Sequence, residues 1–250
     1  MINIKTPNEI EIMQKGGKML SEVMWELVAF VKEGVSEIEI DKLAQKLILE
    51  KGGEPGFKKV DGYKYSVCFS TNDVVVHGIP TDYRLKEGDV IGIDCGVFYN
   101  GFHTDMSETV IVGKANNSKT EEFLKVGKIA LEEAIKKVVI GNHVGDISKT
   151  IQDIVEDNGY SVVEALVGHG VGRKLHEEPE VPGFLMEPIN QTPLLREGMV
   201  IAVEVIYNMG KPELKLDKDG WTLRTKDGSL GGLYERTVAI TSNGPLILTP

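Results

Sequence analysis

Asp94 ends an apolar run, Val90, Ile91 and Ile93, that reads as a buried strand, and eleven positions on comes a second acid, Asp105. Between them Asn100-Gly101 is a strong two-residue hairpin signal. If those two residues form the turn, Tyr99 faces Phe102 and Gly96 faces Asp105. Asp94 is two residues from Gly96 and shares its face, so Asp94 and Asp105 are diagonal neighbours on one side of the hairpin. Gly96 would leave open space between them. Two carboxylates aimed into one space repel unless one is protonated or a cation sits there. The competing reading is two aspartates facing solvent, but the apolar residues before Asp94 place it at least partly in the interior.

An internal repeat extends the set. Leu85–Asp94 aligns with Leu195–Glu204 at an offset of 110, with five identities in ten positions and Lys/Arg, Ile/Val and Asp/Glu exchanges besides. Upstream, Gly34, Ile40, Lys42, Gln45 and Gly52 meet Gly141, Ile147, Lys149, Gln152 and Gly159 at an offset of 107. Two matches in one order at nearly one offset indicate a duplicated chain, and a period near 110 is a domain half rather than a solenoid repeat. Glu204 is then the duplicate of Asp94, and acids at equivalent places in both halves imply a shared site on a pseudo-two-fold. Glu235, in the apolar run Leu233–Ile240, can join them. These four acids carry −4, which two divalent cations balance; paired sites of this kind hold metals about 3.5–4 Å apart and activate a bridging water. Of the histidines, His169 lies among small residues in Gly168–Gly172. A lone histidine is more often structural, but beside four acids it reads as a ligand. Oxygen-rich ligation with one imidazole suits Mn, Fe(II), Co or Zn.

The elements that must position these residues follow from capping and periodicity. Thr6-Pro7-Asn8-Glu9 is a capping box with proline in the first turn, opening a helix to about Val31. Ser36 and Glu39 open a second, closed by Gly52. Ser118 and Glu121 are expected to open a third, running to about Val139, and a fourth covers roughly 146–157. After each helix pair come β-rich stretches: 66–76, 90–112, 199–207 and 233–248. Residues 209–220 are charged and read as a surface loop. Helices grouped before strands indicate an α+β domain, here one domain over 1–250 with halves at about 6–112 and 118–250.

Composition bounds the rest. The chain has 250 residues, 41% hydrophobic and 26% charged, and a formal charge of −10. That charge opposes non-specific nucleic-acid binding and attachment to anionic lipid. Neither DNA nor a membrane is an expected partner. No apolar run approaches the roughly 18 residues of a membrane helix. Cys68 and Cys95 form no CxxC pair, which suits a reducing compartment; without a signal-peptide h-region the expectation is cytoplasmic.

With these residues in place, the sequence resembles the type I methionine aminopeptidases. The resemblance rests on Val76–Pro80, Asp94, Gly101–Asp105, Gly168–Pro179, Glu204 and Tyr234–Thr237, and runs from about residue 3 to the C-terminus. It implies a pita-bread (creatinase/aminopeptidase) fold, with a curved, largely antiparallel sheet covered by helices, and two divalent metals. By it Asp94 chelates one metal, Asp105 and Glu235 bridge both, and His169 and Glu204 complete the second site. His77 and His176 resemble the histidines that hold substrate near the scissile bond. The implied reaction removes the initiator methionine when the next residue is small, a metal-bound hydroxide attacking the first peptide carbonyl. Glu204 would shuttle the proton and His176 donate to the oxyanion. Tyr63, Cys68 and Trp221 match the family's methionine pocket, while Phe57, Val60 and Leu175 stand where it often has cysteine, tyrosine and phenylalanine. Three further departures, Val205, Arg236 and Thr104, lie beside ligands and are expected to tune the metals. Some members of the family imply a structural monovalent cation near Asn72, Val74 and Gly231. The implied partners are the N-termini of nascent peptides, with a transient ribosome contact allowed, and the implied state is a monomer.

Length separates relatives within the fold. Aminopeptidase P and prolidase carry an extra N-terminal domain, and type II methionine aminopeptidases an insertion for which the 28 positions from His176 to Glu204 leave no room. Two alternatives stay open: an exopeptidase of the same fold with X-Pro or another N-terminal specificity, and a non-catalytic module that binds protein or RNA.

Overall fold

The computed structural model describes residues 1–250. Thr6 caps helix α1 (Pro7–Phe30): its hydroxyl accepts the Glu9 amide and Glu9 accepts the Thr6 amide in return. Ser36 and Glu39 repeat the device on α2 (Glu37–Glu50). Strands β1 (Glu54–Pro55), β2 (Val67–Thr71), β3 (Val74–Val76), β4 (Val90–Tyr99) and β5 (Phe102–Ile111) complete the first half. The second half runs α3 (Ser118–Ile135), α4 (Val144–Asp157), β6 (Ser161–Val162), β7 (Val167–Gly170), β8 (Glu177–Pro182), β9 (Val200–Asn208), β10 (Leu214–Leu216), β11 (Leu223–Thr225), β12 (Gly231–Thr241) and β13 (Gly244–Ile247).

Three helix boundaries differ from expectation. The cap of α3 is Asn117, not Ser118; its side-chain oxygen accepts the Thr120 amide, so Ser118 is the first helical residue. The helix stops at Ile135 rather than near Val139. In α4 the Asp146 carboxylate accepts the His143 amide, which starts the helix two residues early.

Ten strands form one antiparallel sheet in the order β1-β4-β5-β12-β9-β7-β8, with β2 on β4, β6 on β9 and β13 on β12. Residues 209–220, expected as a loop, contain β10, which pairs with β11 and through it with β3 in a small second sheet. The strand is only Leu-Lys-Leu between charged neighbours such as Glu213 and Asp217, so composition alone hides the pairing. The helices lie against one face of the large sheet. On β4, Ile91, Ile93 and Val97 meet Leu20, Met24, Leu27 and Ile48 of the first helix pair. On β9, Ile201, Val203 and Val205 meet Phe123, Ile147 and Ile151 of the second.

The duplication is written in hydrogen bonds. Gly34 donates to the Leu85 carbonyl at 2.8 Å and Leu85 to that of Val35 at 2.9 Å. In the second half Gly141 donates to Leu195 at 3.2 Å and Leu195 to Asn142 at 2.8 Å. Gly34 and Gly141 share positive φ, 85° and 92°, where a side chain would strain the backbone. Asp94 and Glu204 are each the fifth residue of their strand.

Candidate metal centre

The expected hairpin is present in the expected register: Asn100 and Gly101 turn it, Tyr99 faces Phe102 and Gly96 faces Asp105. The side chains on one face then assemble across five strands. Cys68 pairs with Asp94, Asp94 with Ser107, Ser107 with Glu235, and Glu235 with Glu204. Paired residues share a face, so this row lies on the side away from the helices, with Asp105 one pleat along from Ser107. Ser107 at its centre is small and buried and keeps its hydroxyl near the Leu233 carbonyl. His169 enters from β7, beside β9.

These groups converge. Donor atoms of Asp105, His169 and Glu235 lie within 4.8 Å of one another. Glu204 Oε1 is 3.4 Å from His169 Nε2. All five residues, Asp94, Asp105, His169, Glu204 and Glu235, line one cavity of about 110 Å³. Asp105 is braced: its amide donates to Thr237 Oγ1 at 2.9 Å, that hydroxyl donates to its carbonyl at 2.8 Å, and its Oδ1 accepts the Met106 amide at 3.0 Å. The His169 ring takes its other nitrogen to the Gly170 carbonyl at 2.8 Å, which leaves Nε2 aimed at the acids.

The electrostatics are those of a site built around positive charge. Burial, then the charges of Asp105 and Glu204, hold the Asp94 carboxyl well above the usual range. Burial pushes Asp105 up to about 7 against the pull of the Met106 amide. Glu204 is raised by burial and Asp105, and Glu235 by burial and then all three other acids. Burial and the neighbouring His176 depress His169 to about 3, so at neutral pH the imidazole is uncharged and its contact with Glu204 is no ion pair. Asp94 Oδ1 and Glu235 Oε1 are buried with no protein partner. Buried orphan carboxylate oxygens are costly, and a divalent cation satisfies oxygens and repulsion together. The donor set fits a divalent metal.

Around the cluster lie the other expected residues. His77 follows β3 with φ of 56°, and the His176 ring meets that of His169 edge-on at 4.4 Å. Burial lowers both, His77 with a contribution from His176, so both imidazoles are neutral at pH 7. Phe57, Tyr63, Cys68 and Leu175 form a buried apolar group with Val60 and Trp221 against it, and all six open onto the same cavity as the acids. Tyr63 holds the wall together: its hydroxyl donates to the Val67 carbonyl at 2.8 Å and accepts from the Cys68 thiol at 3.2 Å, and its ring lies 5.1 Å from that of Trp221. The space expected at Gly96 is filled by the Phe57 ring; a Cβ on Gly96 would sit 2.9 Å from Phe57 Cε1.

The three departures do not touch the cluster. Thr104 faces α1 near Gly16, Val205 is in the core under the helices, and Arg236 reaches Glu108 at 2.8 Å and the Ser107 carbonyl. Each neighbours a residue of the cluster in sequence and so points through the opposite face of the sheet. Arg236 acts only at a distance, easing the Glu235 charge. Near Asn72, the Asn72 carbonyl accepts the Gly231 amide at 2.9 Å and the Val74 carbonyl lies against Gly231. The β7–β8 hairpin, which carries His169 and sets the turn of His176, was not anticipated. Its alternating burial in Glu177–Pro182 was the available signal, masked by two prolines.

A duplicated α+β sheet that closes two pseudo-equivalent acids on a buried carboxylate–histidine cluster, with an apolar pocket beside it, defines a pita-bread metallopeptidase. The chain belongs to metallopeptidase family M24, whose model matches residues 11–242. It is 45% identical over 249 residues to the methionine aminopeptidase of Clostridium perfringens, covering 100% of this chain and 99% of that one. The structure is similar to that of methionine aminopeptidase from Thermotoga maritima, with a TM-score of 0.96 and 39% identity, covering 100% and 99% of the two chains. It is also similar to prolidase from Pyrococcus furiosus, with a TM-score of 0.80 and 25% identity, covering 99% of this chain and 65% of that one.

Proposed function

We propose that this chain, acting as one domain over 1–250, removes N-terminal methionine from peptides whose second residue is small. The observation that carries the reading is that one cavity of about 110 Å³ is apolar at one end and acidic at the other. The apolar end suits a single unbranched side chain, and a thioether gains from the rings of Phe57, Tyr63 and Trp221. The acidic end suits metal-assisted hydrolysis and receives the α-amine. Asp94, Asp105, His169, Glu204 and Glu235 would hold two divalent ions, of Co, Mn, Fe or Zn. When bound, these supply Lewis-acid polarisation of the carbonyl and a lowered pKa for water.

The chain's own groups do the rest. Glu204, less deeply buried than Asp105 and Glu235, takes the proton from the attacking water on its carboxylate and delivers it to the leaving amide nitrogen. His176 donates a ring N–H to the developing oxyanion, and His77 holds the peptide on the far side of the scissile bond. Tyr63, Phe57, Cys68, Leu175 and Trp221 fix the methionine side chain and exclude water. Natural substrates on this reading are the N-termini of newly made proteins in the cytoplasm, met by a monomer in transient contact with the ribosome. A monovalent cation at the Asn72, Val74 and Gly231 segments would brace β3, which leads to His77. No helix is long and apolar enough to cross a membrane.

The test is release of methionine from Met-Ala-Ser against cleavage of Ala-Pro-Ala, with chelation and add-back of each metal. Methionine release lost on chelation supports the reading. Preference for Ala-Pro-Ala would transfer the chain to the X-Pro enzymes, and absence of metal binding at micromolar supply would make it a non-catalytic module. Glu204→Gln should lower kcat roughly 10²–10⁴-fold while metal is still partly bound.

A further inference from the structure

The loop that presents His176 is tied to the first residues of the chain. Within 172–177 the Gly172 amide donates to the Lys174 carbonyl at 3.0 Å, and the Lys174 amide to Glu177 Oε1 at 3.1 Å. The other oxygen of Glu177 accepts from Lys5 Nζ at 2.9 Å and from Asn3 Nδ2 at 3.0 Å. Lys5 Nζ also donates to the Asn3 carbonyl at 3.2 Å. Lys5 itself is fixed by its amide, which donates to the Gly198 carbonyl at 2.7 Å, on the turn leading into the strand of Glu204. The two side chains pack closely over the turn: a Cβ on Gly172 would lie 2.6 Å from Lys5 Cε and 2.8 Å from Glu177 Oε1.

The Lys5 and Glu177 side chains are each only 4% exposed. A buried ion pair is poor evidence for stability, since apolar replacements are often as good; its value lies in geometry. The Glu177 carboxylate accepts from Lys5, Asn3 and Lys174, the Lys5 ammonium donates to Glu177 and the Asn3 carbonyl, and the carboxylate belongs to the residue after His176. Neither Lys5 nor Glu177 lines the cavity of the acidic cluster. Asn3, His176 and Glu177 do line the outer cleft of about 760 Å³ that leads to it.

We propose that Lys5 and Glu177 are positioning residues for His176: their buried ion pair clamps the 172–177 turn and sets the reach of the imidazole toward the scissile carbonyl. The inference rests on the reading that His176 touches substrate. It makes the segment before α1 part of the site's scaffold, although that segment is far from the site in sequence.

The experiment is a double-mutant cycle between Lys5→Met, which keeps the aliphatic stem, and His176→Ala, on the metal-loaded enzyme. Lys5→Met should lower kcat roughly 10- to 100-fold with little change in KM, because small misplacements of a reacting group cost that much. Metal content should be unchanged. In the His176→Ala background the same substitution should cost less than about twofold, the non-additivity expected of groups acting as one unit. Wild-type kcat in folded Lys5→Met, or losses that multiply across the cycle, would overturn the proposal. If His176→Ala alone leaves kcat unchanged, the reading of the site fails, and the proposal with it. Should Lys5→Met not fold, Glu177→Gln keeps an acceptor for the Lys174 amide and carries the same cycle with the same outcomes.

Discussion

Asp105→Asn should stabilise the metal-free protein at pH 8 and leave it unchanged near pH 4. The reason is the environment of Asp105: buried, braced by Thr237 through its backbone, and facing three further acids. Burial raises its pKa from 3.8 to about 7. Below the unfolded value of 3.8 the group is protonated in both states and contributes nothing to the pH dependence. Between 3.8 and about 7 the folded state holds a proton that the unfolded state has lost, so stability falls as pH rises through that window and levels off above it. At about 1.4 kcal/mol per unit, the shift from 3.8 to about 7 corresponds to at most ~4 kcal/mol. It is a ceiling, since the neighbouring acids share the proton load.

The raw pH curve of the wild type mixes this with an opposite effect. His169 and His103 are depressed to about 3 and about 4, mainly by burial, so below the free imidazole value of 6.5 the unfolded chain binds more protons and stability rises with pH. The difference between Asp105→Asn and wild type removes the histidines from the comparison. Urea unfolding of chelated protein at pH 4, 5, 6, 7 and 8, followed by tryptophan fluorescence, should show that difference opening between pH 4 and 7. On the proposed assignment of Asp105 as a ligand, adding a divalent ion should close or reverse it, because an ion that binds only the folded state stabilises the wild type more than the variant. A variant equally destabilised at pH 4 and pH 8 without metal would refute the idea that burial holds the Asp105 carboxyl above its ordinary range.

Three other expectations follow from particular contacts. Thr237→Val leaves the buried Asp105 amide and carbonyl without their shared hydroxyl; a loss of about 1–3 kcal/mol in urea unfolding, with weaker metal binding by titration calorimetry, is the expected result. Leu175→Ala enlarges the apolar end of the cavity. It should raise KM for methionyl peptides and cost about 2–5 kcal/mol of stability; unaltered KM on Met-Ala-Ser would place methionine elsewhere. Gly17→Ala drives a methyl into the Leu248 carbonyl across the α1 contact with the C-terminal segment. It should destabilise by about 1–3 kcal/mol without changing the kcat of the folded fraction.

The parts of the site that were legible in sequence are those fixed by local rules. Asn100-Gly101 sets the hairpin register, and the period of two then brings Asp94 and Asp105 to one face. The repeat carries that face to Glu204 without any structure. What was not legible depends on partners far away in the chain. Gly96 looks like empty space until Phe57 arrives from a 3₁₀ turn to fill it. The three-residue β10 strand, Leu-Lys-Leu, is hidden among flanking charges and is recognisable only once β11 pairs with it and β3 with β11. Lys5 and Glu177 are 172 positions apart, and nothing in either local sequence points to the other. The outward direction of Thr104, Val205 and Arg236, by contrast, follows from the period of two that places their neighbours inward.

Five groups buried in one cavity cannot be kept by local stability, because Asp94, Glu204 and Glu235 are destabilised by burial and by neighbouring acids, and Asp105 by burial. What holds them is the division of labour between the two faces of the sheet. On β4, Ile91, Ile93 and Val97 are locked under the first helix pair, and on β9, Ile201, Val203 and Val205 under the second. Slipping either strand by one residue would turn its core residues out and its acid inward to the helices. The cost of that slip is several buried aliphatic side chains per strand, at about 1.5–3 kcal/mol each, which exceeds the repulsion a single carboxylate could relieve. Each half of the duplicated chain therefore fixes its own acid by its own hydrophobic core. The shared site exists only where β5 and β12, both antiparallel to each other and to their outer neighbours, bring the two fixed strands into one row.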